Sequence, residues 1–201
     1  MLILAFETSA KAASVALLED GKLLGESYQN TGLTHSQTIM VMAEDLLKQC
    51  GKQVSDLTAI GVANGPGSFT GIRIGVAAAK GFAWGAELPC CGTSTLASMA
   101  VGLGIWQGYV CPVMDARRSQ VYNALFHVDC GKYTRIREDR AISLRELGED
   151  VKNLSEPIFW LETAAFCVII LCWKRFPDWF SPRSTGCTSV PRAWRWKRSG
   201  C

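Results

Sequence analysis

An α/β fold built from two similar units, the second of them truncated, is what the 201-residue sequence predicts. Each half opens with an apolar stretch that ends at an acid, over 2–7 in the first half and over 109–115 in the second. In each half, two further short strand-like segments joined by turn residues follow this stretch. Segments with a helical period then alternate with short apolar segments, which favours sheets covered by helices. We therefore expect an N-terminal unit over 1–103 and an incomplete second unit over 104–161.

The elements of the first unit follow in the order βββαβαβα. An antiparallel meander opens the unit, because three short strands are separated by polar turns and Asp20-Gly21 is a favoured hairpin turn. Thr34 and Gln37 form a capping-box pattern, which predicts the start of a long helix. The expected elements are strands over 2–7, 13–18 and 23–29, a helix over 33–50, a strand over 58–63, a loop over 64–71, a helix over 71–85, a strand over 88–92 and a short helix over 93–102.

The second unit repeats this order as far as the pattern can be followed. Its expected elements are strands over 109–115, 121–128, 133–137 and 158–161, with a helix over 144–150 that Ser143 can cap. The end of the chain differs in composition, because five of the seven Trp lie in the last 42 residues. We interpret 162–201 as an aberrant basic tail, rich in Trp and Cys, that lacks regular structure and results from a shift of reading frame. A genuine basic extension is the alternative.

Composition and charge exclude several classes of protein. The 48% apolar content excludes a disordered chain, and the longest apolar run, over 164–173, is too short to span a membrane. The N-terminus lacks the basic segment of a secretion signal, so we expect a cytoplasmic protein with reduced cysteines and no membrane partner. Residues 1–158 carry fourteen Lys and Arg against sixteen acids, so charge does not indicate nucleic-acid binding by the body of the chain.

The turn between the first two strands is a candidate phosphate site. Glu7 ends the first strand and Thr8 and Ser9 begin the turn. This arrangement resembles the phosphate-binding hairpin of the actin, sugar-kinase and Hsp70 superfamily, in which the acid holds a metal or water and the turn contacts phosphate. An ordinary hairpin with a polar turn is the alternative. The Gly-rich loop over 64–71 could likewise bind an anion at the start of a helix, or could need its glycines only for a tight connection.

The first strand of the second unit ends in a comparable polar string. Asp115 ends that strand, and Arg117 and Arg118 follow it in the turn. The two arginines could form ion pairs with Asp115, or with Glu7 across a cleft, or they could contact phosphate.

Small residues form a stripe on the second long helix, at Gly71, Gly75, Ala78 and Gly85, with Phe82 on the same stripe. Each Gly inside a helix costs about 1 kcal/mol relative to Ala, so a close approach by another helix would explain them. That approach could be internal packing on the first long helix. We favour an intermolecular helix pair, because the first helix carries surplus apolar surface.

Three strings together closely resemble the bacterial TsaB family, also called YeaZ. They are the residues 6–9, 64–75 and 114–122, they occur in the family's order, and the match covers about 1–160. The resemblance implies an actin-like ATPase (ribonuclease H-like) fold and a role in forming N6-threonylcarbamoyladenosine at position 37 of tRNAs that read codons beginning with A. It implies a non-catalytic subunit, the dimerisation partner and activator of the transferase TsaD. The implied complex also contains the ATPase TsaE, reaches tRNA indirectly, and could hold ATP or ADP, with no cofactor of the chain's own.

The resemblance places partner contacts on the helices over 33–50 and 71–85, through which two copies of the chain would also pair. We expect an interface made of Leu33, His35, Ile39, Met40, Ala43, Leu47, Gly71, Arg73, Gly75, Ala78 and Phe82. Gly75→Leu should then overfill the interface and abolish capture of TsaD while the chain stays folded. Neither catalytic nor metal-binding residues are expected, because TsaD-like enzymes carry a His-x-x-x-His pair where this chain aligns Thr95 and Met99.

Enzymes of the same superfamily are the alternative reading. An actin-like-fold phosphotransferase would use Glu7, Thr8 and Asp115, although a second convincing phosphate loop is missing from the sequence. A metallopeptidase-like enzyme would lack its ligands. A tRNA-binding module is disfavoured by the acidic body of the chain.

Overall fold

The computed structural model describes residues 1–101 and 106–162. Within them lie two sheets, each built on a three-stranded antiparallel meander whose first strand also pairs with a parallel strand. This confirms the expected pair of similar α/β units. The first sheet contains β1 (Leu2–Glu7), β2 (Ala13–Glu19), β3 (Lys22–Gln29), β4 (Ala59–Ala63) and β5 (Cys90–Thr93), in the order β3-β2-β1-β4-β5.

Helices α1 (His35–Gln49) and α2 (Phe69–Gly85) cover one face of the first sheet. Burial alternates along β1, where Leu2, Leu4 and Phe6 form part of the core under these helices. A 3₁₀ turn (Val54–Asp56) follows α1 and leads to β4.

Both helices begin at residues that satisfy free backbone N–H groups. The Gln37 side chain accepts a hydrogen bond from the N–H of Thr34 at 3.4 Å, which is one half of the expected capping box. Ser68 caps α2, because its Oγ accepts from the N–H of Gly71 at 3.3 Å. The cap explains why α2 begins at Phe69 rather than at the expected residue 71.

The second sheet contains β6 (Gly108–Arg117), β7 (Gln120–Asp129), β8 (Lys132–Ser143) and β9 (Ile158–Glu162), in the order β8-β7-β6-β9. The strand β8 extends six residues past the expected end at 137. Its second half is charged, so the sequence shows no apolar alternation there. Two register shifts accommodate the pairing of β8 with β7.

Each face of the second sheet is covered by one helix. Helix α4 (Leu144–Val151) packs on one face, and the short α3 (Thr95–Val101) packs on the other. Leu96 and Ala100 of α3 join the cluster that contains Val110 and Phe126 of the second sheet. Ser94 donates a hydrogen bond to Asp139 of β8 at 2.6 Å, which ties the start of α3 to the same sheet. By its packing, α3 therefore belongs with the second sheet, although the expected boundary at 103/104 stays a prediction.

The end of the chain lies largely outside the described residues. The expected aberrant tail over 162–201 falls there, except Glu162, which is the last residue of β9 rather than part of a tail. Among the described residues, none of the helices combines the length and the apolar character that a membrane span requires. A cytoplasmic location stays a prediction.

Candidate partner surface and strand-end turns

The turn between β1 and β2 is closed by the N-terminal end of α2. Thr8 and Ser9 are 0% and 3% exposed. The Thr8 hydroxyl donates to the carbonyl oxygen of Gly71 at 2.8 Å, and the N–H of Ser68 donates to the carbonyl oxygen of Ser9 at 2.7 Å. The Thr8 hydroxyl and the Ser9 carbonyl are therefore occupied by the chain itself. Phosphate contact by Thr8 and Ser9 stays a prediction.

The acid at the end of β1 and the first histidine of α1 also hold this turn. A carboxylate oxygen of Glu7 accepts from the N–H of Ser9. The His35 ring Nε2 lies 3.0 Å from the carbonyl oxygen of Ala10, which is hydrogen-bond distance for a donating N–H. His35 is half-buried and its observed contact is with its own chain, so a partner contact through His35 stays a prediction. These contacts fit the alternative reading, an ordinary hairpin with polar residues, and phosphate contact by Glu7 stays a prediction.

Two glycines of the α2 stripe are needed for contact within the chain. A Cβ atom at Gly71 would overlap the carbonyl oxygen of Thr8, and a Cβ at Gly75 would overlap its hydroxyl oxygen. Both glycines are therefore explained by packing within the chain. The element that approaches them is the β1–β2 turn, whereas the expected internal packing was against α1. Gly71 and Gly75 are buried, so they are not partner contacts. Gly75→Leu would therefore disturb the fold itself and cannot test an interface separately.

The loop over 64–71 is a tight connection of the same kind. A Cβ at Gly67 would lie 2.6 Å from the Cβ of Ser9, closer than two such atoms can approach. Glycine is therefore required at 67 because the loop packs on the β1–β2 turn. Of the two alternatives for this loop, the structure supports the tight connection.

The turn between β6 and β7 is open and strained. Arg117, Arg118 and Ser119 have φ values of 64°, 51° and 60°, a left-handed conformation that costs about 1 kcal/mol for each such residue. The N–H of Arg117 donates to Asp115 Oδ1 at 2.7 Å. Both arginines are exposed, and neither guanidinium forms an ion pair with Asp115 or Glu7 within the described residues. The expected ion pairs are absent from that part of the chain, and phosphate contact by these residues stays a prediction.

Two expected partner contacts on α1 are core residues instead. Ile39 and Ala43 are 0% exposed and belong to the core between α1 and the first sheet. They recur at the helical period that faces the sheet, so they cannot also face a partner, and their assignment to the interface is corrected. Leu47 belongs to the same core but also lines the groove between the helices, so its partner contact stays a prediction. Leu33 and Met40, from the same expected set, are exposed.

Large apolar side chains remain exposed around α1 and α2. Met40 and Val41 are 41% and 55% exposed on α1, and Trp84 is 88% exposed on the last turn of α2. A groove of about 440 Å³ lies between the two helices and the 3₁₀ turn. It is lined by Met40, Val41, Glu44, Leu47, Lys48, Lys52, Gln53, Val54 and Phe82. The remaining exposed apolar residues of this region are Leu33, Val54 and Phe69.

The structure therefore revises the candidate contacts on α2. Phe82 is half-buried and lines the groove, whereas Ala78 is half-buried and packs against the core. Arg73 is exposed, with its guanidinium 4.8 Å from the centre of the Phe69 ring. Phe69 and Trp84 were missed because large aromatic residues ordinarily indicate core, and no sequence signal marked them as exposed.

The two helices differ in exposed charge. Helix α2 has two basic residues, Arg73 and Lys80, and no acid. Helix α1 exposes Glu44 and Asp45, together with Lys48. The hydrogen bond from Lys48 to Glu44, at 2.6 Å, lowers the pKa of the Glu44 carboxyl and raises the pKa of Lys48.

Comparisons with known proteins point to one family. Residues 29–155 match the family model described as TsaD, tRNA N6-adenosine threonylcarbamoyltransferase. A tRNA threonylcarbamoyladenosine biosynthesis protein TsaB from Bacillus subtilis is 35% identical over 161 residues, which is 80% of this chain and 70% of that protein. The TsaB protein of Escherichia coli is 42% identical over 131 residues, which is 64% of this chain and 56% of that protein. The chain belongs to the TsaB family.

Solved structures agree with this membership in TsaB. YeaZ from Pseudomonas aeruginosa is 28% identical, with a TM-score of 0.65 over 81% of this chain and 75% of that one. A second crystal structure, of an uncharacterized protein with similarity to peptidase YEAZ from Pseudomonas aeruginosa, has a TM-score of 0.69 at 24% identity, over 87% of this chain and 93% of that one. The predicted TsaB membership is confirmed, and the chain shares the fold of these two solved structures.

Thr95 and Met99, the positions expected from the resemblance to align with the transferase histidines, serve packing in this chain. Thr95 is buried at the start of α3, and Met99 packs in the cluster between α3 and the second sheet. Neither side chain offers an imidazole nitrogen to a metal.

Proposed function

We propose that the chain is a non-catalytic subunit of tRNA threonylcarbamoyladenosine biosynthesis, which binds and activates the transferase subunit TsaD. The TsaB relatives carry the name of this biosynthesis, and the family model matched over 29–155 is described as the transferase itself. This chain has threonine and methionine where the transferase is expected to have its paired histidines. That difference supports a non-catalytic role beside the transferase.

The observation that carries the proposal is the exposed apolar surface of α1 and α2. Scattered exposed apolar residues are ordinary, but a group of them around a groove marks an interaction site. Here three members of the group, Met40, Val41 and Val54, line a groove of about 440 Å³ together with Leu47 and Phe82. We therefore place the contact with TsaD on a revised set of residues, namely Leu33, Met40, Val41, Val54, Arg73, Phe82, Phe69 and Trp84.

The remaining parts of the proposed complex rest on the family alone. We place the ATPase TsaE and ATP or ADP in the complex, and tRNA is reached through TsaD. Asp115, Arg117 and Arg118 remain the candidate phosphate contacts of this chain, because both arginines are exposed in a turn of left-handed residues. A phosphotransferase reading has lost support, since Thr8 is occupied by its bond to Gly71.

Capture of TsaD by the full chain tests the proposal. Val41→Glu places a carboxylate in the apolar groove, so it should abolish capture of the transferase subunit from the same organism while the chain stays folded. Ile136→Glu is the matched control, because Ile136 is exposed on β8 and lies outside this surface. Capture that survives Val41→Glu, or is lost equally in both variants, contradicts the proposed surface.

A further inference from the structure

The turn between β6 and β7 places arginines where the backbone favours glycine. Arg117, Arg118 and Ser119 have φ values of 64°, 51° and 60°, so three successive residues that carry side chains are left-handed. Strain of this kind persists at sites where the side chains have a task. The conformation therefore indicates a function for the two arginines.

The two other hairpin turns of the same length meet the backbone requirement with glycine. Residues 20–21 join β2 to β3, and residues 130–131 join β7 to β8. The second residue of each turn is a glycine, Gly21 with φ of 80° and Gly131 with φ of 77°. The β6–β7 turn has Ser119 at that position and an arginine before it. The chain keeps arginine here although glycine would fit the backbone better.

A third arginine lies beside this turn. Arg117 pairs with Gln120 of β7, and Gln120 pairs with Ser143 at the end of β8. Neighbouring strands are about 4.8 Å apart, so this row of residues spans about 10 Å. Arg145 follows in the first turn of α4, which begins directly after Ser143. Three arginines therefore lie at one end of the second sheet.

The guanidinium groups at this end are available to a ligand. All three arginines are exposed, and none of them forms an ion pair with another residue that the structure describes. The acids beside them in the chain accept hydrogen bonds from the backbone. Asp115 accepts from the N–H of Arg117 at 2.7 Å, and Glu146 accepts from the N–H of Ser143 at 2.8 Å.

The chemistry of the row suits a phosphodiester backbone. A guanidinium group can donate two parallel hydrogen bonds to one phosphate. Each strand of a nucleic-acid duplex repeats its phosphate about every 3.4 Å along the axis, so a row of about 10 Å spans more than one phosphate. A single nucleotide is ordinarily enclosed in a concave site, whereas this turn is the exposed end of a hairpin.

We propose that the β6–β7 turn and the start of α4 contact the phosphate backbone of tRNA. The inference goes beyond the proposed function, in which the chain reaches tRNA only through TsaD, and rests on it for the kind of RNA. Phosphates carry no base identity, so the contact holds the RNA without reading its sequence.

Binding of a fluorescein-labelled tRNA transcript to the full chain, measured over a range of salt concentrations, tests the contact. The variant Arg117→Gly/Arg118→Gly should weaken binding about ten-fold at low salt. The slope of log affinity against log salt should become less steep by about two, because two phosphate contacts are lost. Arg145→Ala should change the slope by about one, and an unchanged slope contradicts the extension of the contact to α4.

The matched control removes the same charge from the other two hairpins. Lys22 and Lys132 are exposed and directly follow the β2–β3 and β7–β8 turns, so Lys22→Ala/Lys132→Ala should leave affinity and slope nearly unchanged. This control is needed because residues 159–201 carry seven basic residues against two acids and can attract RNA themselves. Equal losses in the two double variants, or no loss in the arginine variant, overturn the proposal.

Thermal unfolding of the arginine variant separates binding from a structural role. Glycine relieves the left-handed strain, so the unfolding midpoint should stay the same or rise by about 2–4 °C while the affinity for tRNA falls. A variant that loses stability together with affinity would show that the arginines hold the turn, and would overturn the proposal.

ATP binding and TsaD capture by the arginine variant identify the ligand. A variant that loses ATP binding or TsaD capture but keeps its affinity for tRNA would make the turn a nucleotide or protein contact, and would overturn the proposal. Lost tRNA affinity with retained TsaD capture supports it. A parent chain that never captures TsaD loses the proposed function, whereas the tRNA measurements on the chain alone still decide this inference.

Discussion

In each of the two meanders a turn follows the first strand, and the two turns differ in burial. The β1–β2 turn is buried, and its hydroxyl and carbonyl groups bond to the first turn of α2. The β6–β7 turn is exposed, holds three successive left-handed residues and presents two arginines that form no ion pair with Asp115 or Glu7 in the described part of the chain. Both turns have a similar sequence pattern, an acid followed by polar residues. In the first unit this pattern forms a turn that packs against α2, whereas in the second unit it forms an exposed, charged turn.

Enlarging a glycine under the closed turn should have the largest effect. Gly75→Leu forces a side chain into the space of the Thr8 hydroxyl, so it should lower the free energy of unfolding by about 3 kcal/mol or prevent folding. Gly81→Ala is the control, since a Cβ there meets nothing within 4 Å, and it should be neutral or raise stability by up to about 1 kcal/mol. Urea unfolding measures both, and equal stability of the two variants would show that the turn is not closed by α2.

Removing the hydroxyl of the closed turn should have an intermediate effect. Thr8→Val keeps the shape of the side chain but leaves the carbonyl oxygen of Gly71 without its 2.8 Å donor in a buried site. The free energy of unfolding should fall by about 1–3 kcal/mol. Thr31→Val, at an exposed position, should change it by less than about 0.5 kcal/mol. A Thr8→Val chain as stable as the parent would mean that this bond contributes nothing.

Much of the fold could be predicted from local patterns, because strands and caps are local. The alternation of Leu2, Leu4 and Phe6 and the cap at Ser143 were sufficient to place their elements. The closed turn could not be predicted, because Thr8 and Gly71 are 63 positions apart in the chain and only the tertiary fold brings them together.

The proposed partner surface lies on the predicted helices, but several of the residues predicted for it are buried in the core. Ile39 and Ala43 are apolar at the helical period, and that period identifies the face toward the sheet rather than the face toward a partner. Trp84 was not predicted to be exposed, because hydrophobicity alone does not distinguish a core tryptophan from an exposed one.

Relaxing the open turn should have the smallest effect on stability. Ser119→Gly removes the cost of a left-handed φ of 60°, so it should raise the free energy of unfolding by about 0.5–1 kcal/mol. Arg118→Ala should leave stability within about 0.5 kcal/mol, since the guanidinium is exposed and forms no ion pair with Asp115 or Glu7. Thermal unfolding measures both changes. A marked loss of stability in Arg118→Ala would show that this arginine holds the turn together.

Formation of threonylcarbamoyladenosine on tRNA by purified TsaD, with and without this chain, tests the central claim most directly. The account predicts that the chain alone forms no product, that it stimulates TsaD, and that Val41→Glu removes the stimulation while Ile136→Glu retains it. Product formed by the chain without TsaD, or stimulation that persists undiminished in Val41→Glu, would contradict it.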